Sequence, residues 1–68
     1  MPRATDTLST GDRRRLGETL EHVGVVATEA AWHVSARVLR RARDGHATTH
    51  ATAVAIRAHL AAGEESRP

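Results

Sequence analysis

One long amphipathic helix is predicted from residues 16–38, which read LGETLEHVGVVATEAAWHVSARV. Apolar side chains recur in this stretch every three or four residues, the spacing that places them on one face of a helix. The members of this stripe are Leu16, Leu20, Val23, Ala27, Ala30, Val34 and Val38. Because the stripe continues for about six turns, we expect residues 16–38 to lie in a single helix.

The sequence on either side of the stripe carries helix boundary signals. Ser9, Thr10 and Asp12 are residue types that cap helix N-termini, so the helix is predicted to begin at residues 10–12. Gly45 is the kind of residue that stops a helix in a left-handed conformation. The first helix is therefore predicted to end near Asp44.

A second, shorter helix is predicted from residues 46–62, which are rich in alanine and are followed by Gly63. Residues 50–56 also alternate as a strand would, but alanine favours helices and is depleted in strands. Only residues 44–46 separate the two helices, so they should lie antiparallel. The predicted fold is an all-α antiparallel helical hairpin, a long helix followed by a shorter one.

The unequal lengths of the two helices predict a second copy of the chain. A helix over residues 12–44 would be about 50 Å long, whereas one over residues 47–62 would be about 24 Å long. Leu16, Leu20 and Val23 would then have no apolar neighbour in their own chain. We therefore expect a homodimeric four-helix arrangement. Gly24 leaves an alternative open, since a break there would give a compact three-helix unit and weaken the argument for a dimer.

Composition and length describe one small domain of 68 residues. Residues 1–10 are predicted to be a disordered arm, residues 11–63 the helical domain, and residues 64–68 a polar tail. Disulfides are excluded because the chain has no cysteine. No apolar run approaches the roughly 18 residues of a membrane span, and the N-terminus lacks the apolar stretch of a secretory signal. A soluble, cytoplasmic protein is expected, and the absence of Lys, Asn and Gln indicates a high-GC bacterial or phage source.

The first functional hypothesis is a non-enzymatic interaction module, an oligomeric adaptor or regulator that binds itself and a protein partner. Its candidate partner-binding residues are Leu16, Leu20, Val23, Trp32 and Leu39. Tryptophan is enriched at the centres of interfaces, although core packing is an equal alternative for Trp32. Catalysis and cofactors are not expected, because helices of this length offer no deep pocket and the serines lie in no nucleophile-elbow motif.

The second hypothesis is a small basic DNA-binding regulator of bacterial or phage type. It rests on two arginine clusters, Arg13, Arg14 and Arg15 in the first and Arg37, Arg40, Arg41 and Arg43 in the second. Guanidinium groups suit phosphate, but the formal net charge is only +2. A helix-turn-helix over residues 37–60 would have only Arg57 besides histidines on its second helix, fewer donors than a recognition helix normally has.

A metal-binding helical bundle is the third hypothesis. Glu18 and His22, like Glu29 and His33, are four residues apart and would share one sector of the predicted long helix. Di-iron bundles use Glu-x-x-His rather than this Glu-x-x-x-His spacing, and an exposed face with two i,i+4 pairs is the alternative. No metal ligand is assigned from the sequence.

Overall fold

Four helices and a two-stranded sheet make up the fold in the computed structural model, which describes residues 5–65. They occur in the order β1 (Thr5–Asp6), α1 (Thr10–His22), α2 (Val25–Trp32), α3 (Ala36–Arg43), β2 (Thr48–Thr49) and α4 (His50–Glu65). The two short strands are antiparallel, with Thr5 opposite Thr49 and Asp6 opposite Thr48. The predicted, mostly helical class is confirmed.

The first helix begins at Thr10, within the predicted range, and ends at His22, much earlier than the predicted end near Asp44. The Ser9 hydroxyl accepts a hydrogen bond from the Asp12 backbone N–H at 3.2 Å and so caps α1. Gly24 has a φ of +97°, which glycine adopts without the strain that a Cβ would cause. The helix therefore breaks at Gly24, and the prediction of one continuous helix is wrong there.

A second break separates α2 from α3. His33 lies in the left-handed helical region with a φ of 57°, and Ser35 is extended and caps α3. The predicted long helix is thus three helices, which is why the two-helix hairpin is wrong. Because α1, α2 and α3 fold back on one another, apolar residues of a single sequence stripe meet within one chain.

The C-terminal boundary predicted at Gly45 is confirmed. The Gly45 N–H donates to the Ala42 carbonyl at 3.1 Å, and the His46 N–H donates to the Arg41 carbonyl at 2.9 Å. With Gly45 at a φ of +97°, this pair of bonds is a Schellman motif that satisfies the last carbonyls of α3.

The core is formed by α1, α3 and α4, the segment before α1 and the turn after α2, and Val25 and Trp32 of α2 pack against it. Its buried members are Leu8, Leu16, Leu20, Val34, Leu39, Ala42, Ala53, Ile56 and Leu60. Leu16 and Leu20 are 0% and 8% exposed within one chain, whereas Val23 is 56% exposed. The expectation that Leu16 and Leu20 need a second copy to cover them is therefore wrong. The homodimer itself stays a prediction.

The last helix buries the face that the sequence predicts, with Ala53, Ile56 and Leu60 in the core. It begins at His50 rather than near His46, because Thr48–Thr49 pairs with β1. The Thr49 hydroxyl accepts from the Thr52 N–H at 3.1 Å and caps the first turn. None of the helices within residues 5–65 combines the length and apolar character needed to cross a membrane.

The two ends of the chain differ in part from the expectation. Within the predicted arm, β1 is paired and Leu8 is only 4% exposed. In the predicted tail, α4 continues past Gly63 to Glu65. Residues 1–4 of the arm and residues 66–68 of the tail lie outside the described residues.

Candidate nucleic-acid interface

Helices α2 and α3 form a helix-turn-helix. Each has eight residues, and only His33, Val34 and Ser35 join them. The His33 N–H donates to the Glu29 carbonyl at 2.9 Å, and its left-handed backbone turns the chain. Val34 is buried in the core, and the Ser35 hydroxyl accepts from the Val38 N–H at 3.2 Å. A turn of three or four residues between two helices is one feature of the helix-turn-helix motifs that bind DNA.

A carboxylate on α2 fixes the start of α3. Glu29 Oε2 accepts a hydrogen bond from the Ala36 backbone N–H at 2.8 Å. Ala36 is the first residue of α3, where backbone N–H groups have no partner within the helix. The negative charge also complements the positive end of the α3 dipole. Glu29 therefore orients α3 relative to α2.

Helix α3 has one buried face and one strongly basic face. Leu39 and Ala42 are 0% exposed and face the core, with Val38 partly buried beside them. The exposed positions include Arg37, Arg40, Arg41 and Arg43. Four of the ten arginines of the chain thus lie in this eight-residue helix, which has no acidic residue. The other six arginines are fewer than the eight acidic residues, all of which lie outside α3. The positive charge of the chain is concentrated on α3.

Three of these four guanidinium groups are free to contact a ligand. Arg43 is engaged, because its Nε donates to Asp44 Oδ1 at 3.3 Å. Arg37, Arg40 and Arg41 have no hydrogen-bond or ion-pair partner within the part of the chain that the structure describes. We call these three side chains the free arginine face of α3.

The two arginine clusters meet at Arg13. Arg13 Nε donates to the Arg43 backbone carbonyl at 3.2 Å, which brings the N-terminal cluster to the end of α3 within a single chain. Arg14 is exposed. Arg15 lies 3.8 Å from Asp12 and lines a cleft with Trp32 and His59 instead. The first cluster is therefore split between two surfaces, and no dimer is needed to join it to the second.

The only cation that the sequence places within α4 is occupied. Arg57 Nη2 donates to Asp6 Oδ2 at 2.9 Å, and Arg57 Nε lies 3.7 Å from Asp12 Oδ2. The hydrogen bond from Arg57, together with one from the Thr7 N–H, holds the pKa of Asp6 below its usual range. This pair ties β1 to α4, so Arg57 does not serve as a recognition donor.

The predicted partner-binding residues do not form one surface. Leu16, Leu20 and Leu39 lie in the core. Trp32 is partly buried and stacks on His59, with ring centroids 5.0 Å apart and planes 5° from parallel. These two rings, together with the exposed Val23, line a cleft of about 440 Å³.

The two Glu–His pairs considered as metal ligands lie on opposite sides of the break at Gly24. Glu18 and His22 are exposed on α1, whereas Glu29 is bound to the Ala36 N–H on the far side of the break at Gly24. Residues 5–65 contain no group of three or more His, Asp or Glu side chains that could hold a metal ion. The metal-binding bundle is not proposed further.

The helix-turn-helix lies at residues 25–43 and not at residues 37–60. The arginines of the second cluster are therefore on the second helix of the motif. The interpretation from sequence took them to be on the first helix, and so found only Arg57 besides histidines as hydrogen-bond donors on the second. Ser35 was the missed signal, since a serine three residues before Val38 is a helix N-cap pattern. His33 gave no signal, because left-handed turns normally use glycine or asparagine.

Comparison of the chain with protein-family models, curated proteins and solved structures finds no match. A proposal for the function therefore rests on the geometry of α2 and α3 and on the charge of α3.

Proposed function

We propose that the protein binds duplex DNA by placing α3 in the major groove. The observation that carries this proposal is the free arginine face of α3, on the second helix of a helix-turn-helix. In such motifs the second helix enters the major groove, and residues in its N-terminal part reach the base edges. Glu29 supports this placement because it fixes the start of α3.

The modest net charge of the chain is compatible with this role because the charge is not evenly spread. Binding to phosphate depends on the cations that reach the backbone, each of which releases condensed counterions. The arginines of α3 are presented together, and arginine binds phosphate oxygens with two parallel hydrogen bonds. A helix with its side chains is about 10–12 Å across, which matches a major groove about 12 Å wide.

The role we propose is recognition rather than catalysis. Arginine offers only hydrogen-bond donors and stays protonated, so the free arginine face supplies neither a nucleophile nor a general base. A small regulator of DNA, bacterial or phage in type, is the function that these features support best.

The experiment measures binding of the full 68-residue chain to a fluorescein-labelled 20-base-pair duplex by anisotropy, at 50 and 200 mM salt. On a duplex without a preferred site, where all three arginines contact phosphate, the logarithm of the affinity should fall against the logarithm of the salt concentration with a slope of about −2.7, or about 40-fold between these salt concentrations. The double variant Arg40→Gln with Arg41→Gln should bind about tenfold or more weakly at 50 mM salt and lower the slope by about 2.

Arg15→Gln is the matched control for these substitutions. It makes the same type of substitution, with the loss of one charge, on a surface that faces Asp12 and the Trp32 cleft. Its affinity for the duplex should stay within about twofold of the wild type, since loss of one distant charge is largely screened. Equal losses in Arg15→Gln and in the α3 variants would contradict the proposal, as would undetectable binding at 50 mM salt.

A second candidate function is self-association, which an exposed apolar patch favours. Val23, which lines the Trp32 cleft, is 56% exposed, and Val26 is 73% exposed. A homodimer formed there would present two copies of α3, as two DNA half-sites require. Light scattering tests this candidate function. The double variant Val23→Ser with Val26→Ser should convert the dimer to a monomer. The control Val54→Ser, at a position on α4 that is 47% exposed, should stay dimeric. A monomeric wild type at 100 micromolar would rule out the dimer.

A further inference from the structure

The three free arginines take different positions around α3. At about 100° per residue, Arg37 and Arg40 lie about 30° on either side of the direction opposite Leu39, Ala42 and the partly buried Val38, whereas Arg41 lies about 70° from it. Arg41 lies nearer the α4 side, where it lines a cleft with Val38 and Thr52. Arg37 and Arg40 therefore project furthest from the protein, and Arg41 stands at the edge of the exposed face.

The hydrogen-bonding chemistry of this face is restricted to donors. Adenine is read by Asn or Gln, and the chain contains neither. Cytosine is read by Asp or Glu, and α3 has no acidic residue. Asp44, which follows α3, is engaged by the Arg43 Nε at 3.3 Å. Guanine is the base that presents two acceptors, O6 and N7, at the major-groove edge, and arginine binds both at once.

We infer that Arg37 and Arg40 each bind a guanine in the major groove, so that the preferred target of this protein contains two neighbouring G·C pairs. This inference rests on the proposed binding of duplex DNA by α3. The two residues are three positions apart, so their Cα atoms are separated by about 4.5 Å along the helix. Base pairs are stacked about 3.4 Å apart, so the two guanidinium groups match adjacent pairs, with each guanine on either strand.

Arg41 has a different role in this arrangement. It lies beside the start of α4, where the Thr49 and Thr52 side chains share its cleft. A guanidinium at the edge of the face meets the DNA backbone before it meets a base edge. Arg41 therefore contacts phosphate, which positions α3 and carries no sequence information.

Selection from a duplex pool with eight randomised base pairs tests the inference with the full chain. Bound duplexes should be enriched in two adjacent G·C pairs at a fixed position. Replacement of a selected guanine by 7-deazaguanine removes the N7 acceptor and should lower affinity about tenfold. Inosine lacks only the minor-groove amino group of guanine and serves as the control, with unchanged affinity expected.

Variants separate the two roles on the selected duplex. Arg37→Ala and Arg40→Ala should each remove the preference for guanine at one position and make the 7-deazaguanine substitution there harmless. Arg41→Gln should weaken binding to all duplexes equally and lower the salt slope by about 1. Far-UV circular dichroism should show the same helix content in all three, since the three side chains are exposed and unpaired.

The possible outcomes distinguish this inference from the proposed function. Binding to the pool without enrichment of G·C pairs, or tolerance of 7-deazaguanine by the wild type, would overturn guanine recognition and leave DNA binding intact. Enrichment of A·T pairs would do the same. Absence of binding to every duplex at 50 mM salt would overturn the proposed function itself.

Discussion

The hydrogen bond from the Ala36 N–H to Glu29 predicts a measurable loss of stability in Glu29→Ala. The bond is 2.8 Å long, partly buried and accepted by a carboxylate, and such charged hydrogen bonds contribute about 1.5–3 kcal/mol. Two effects reduce the loss in the variant. Water can bond to the N–H of the partly exposed Ala36, and alanine at position 29 is a better helix former than glutamate. The expected net loss in the free energy of unfolding is therefore at the low end, about 1–2 kcal/mol, which lowers the melting temperature of a domain of this size by about 7–14 °C.

Thermal unfolding followed by circular dichroism at 222 nm measures this loss. Glu29→Gln keeps an oxygen acceptor without the charge and should lose about half as much, because neutral hydrogen bonds are about half as strong. Glu18→Ala is the control, since Glu18 is exposed on α1 and its loss should stay within about 0.5 kcal/mol. If Glu29→Ala and Glu18→Ala melt at the same temperature, Glu29 does not fix the start of α3.

Three further predictions concern the core, the strand contact and the turn after α3. Leu39→Ala should lower the free energy of unfolding by about 2–5 kcal/mol, because the Leu39 side chain is completely buried. Urea titration should show that this variant is close to unfolding. The pKa of Asp6 is lowered in the folded chain, so the ionised side chain stabilises the fold above pH 3.8, and this stabilisation is lost as the pH falls through the folded-state pKa. The melting temperature should therefore change less with pH in Asp6→Asn than in the wild type. Parallel profiles for the two proteins would contradict the Arg57 contact. Gly45→Ala should cost about 1–2 kcal/mol, because a φ of +97° strains any residue with a Cβ, whereas Gly11→Ala, in an open position of α1, should be neutral or stabilising.

Local signals in the sequence predicted several elements correctly. Ser9 and Gly45 mark helix ends through interactions with the nearest turn of backbone, so their effect does not depend on the rest of the fold. The buried face of α4 also follows directly from the spacing of Ala53, Ile56 and Leu60. These features required only helical geometry and capping chemistry.

The breaks between α1, α2 and α3 were not predictable from periodicity. Leu16, Leu20 and Val34 keep a helical spacing although Val34 lies in a turn, because all three face one core after the chain has folded back. Spacing alone cannot distinguish one long helix from several short helices that bury the same face. Gly24 allowed a break without requiring one, and the left-handed conformation of His33 is set by the tertiary structure.

The arginines of the candidate interface were identified from the sequence, but their arrangement was not. The sequence placed Arg37 and Arg40 at the end of a long helix, where they would complement the helix dipole. The structure places them on a separate helix that begins at Ser35 and is held by Glu29. The role of these residues depends on that separation, which needs the tertiary fold.

A titration of the isotopically labelled protein with duplex DNA, followed by backbone amide NMR shifts, tests the central claim most directly. DNA binding through α3 predicts that the largest shifts fall on residues 35–41, with small shifts at the Trp32 indole and in the C-terminal half of α4. Shifts centred on the Trp32 cleft, or none at 50 mM salt, would contradict the placement of α3 in the major groove.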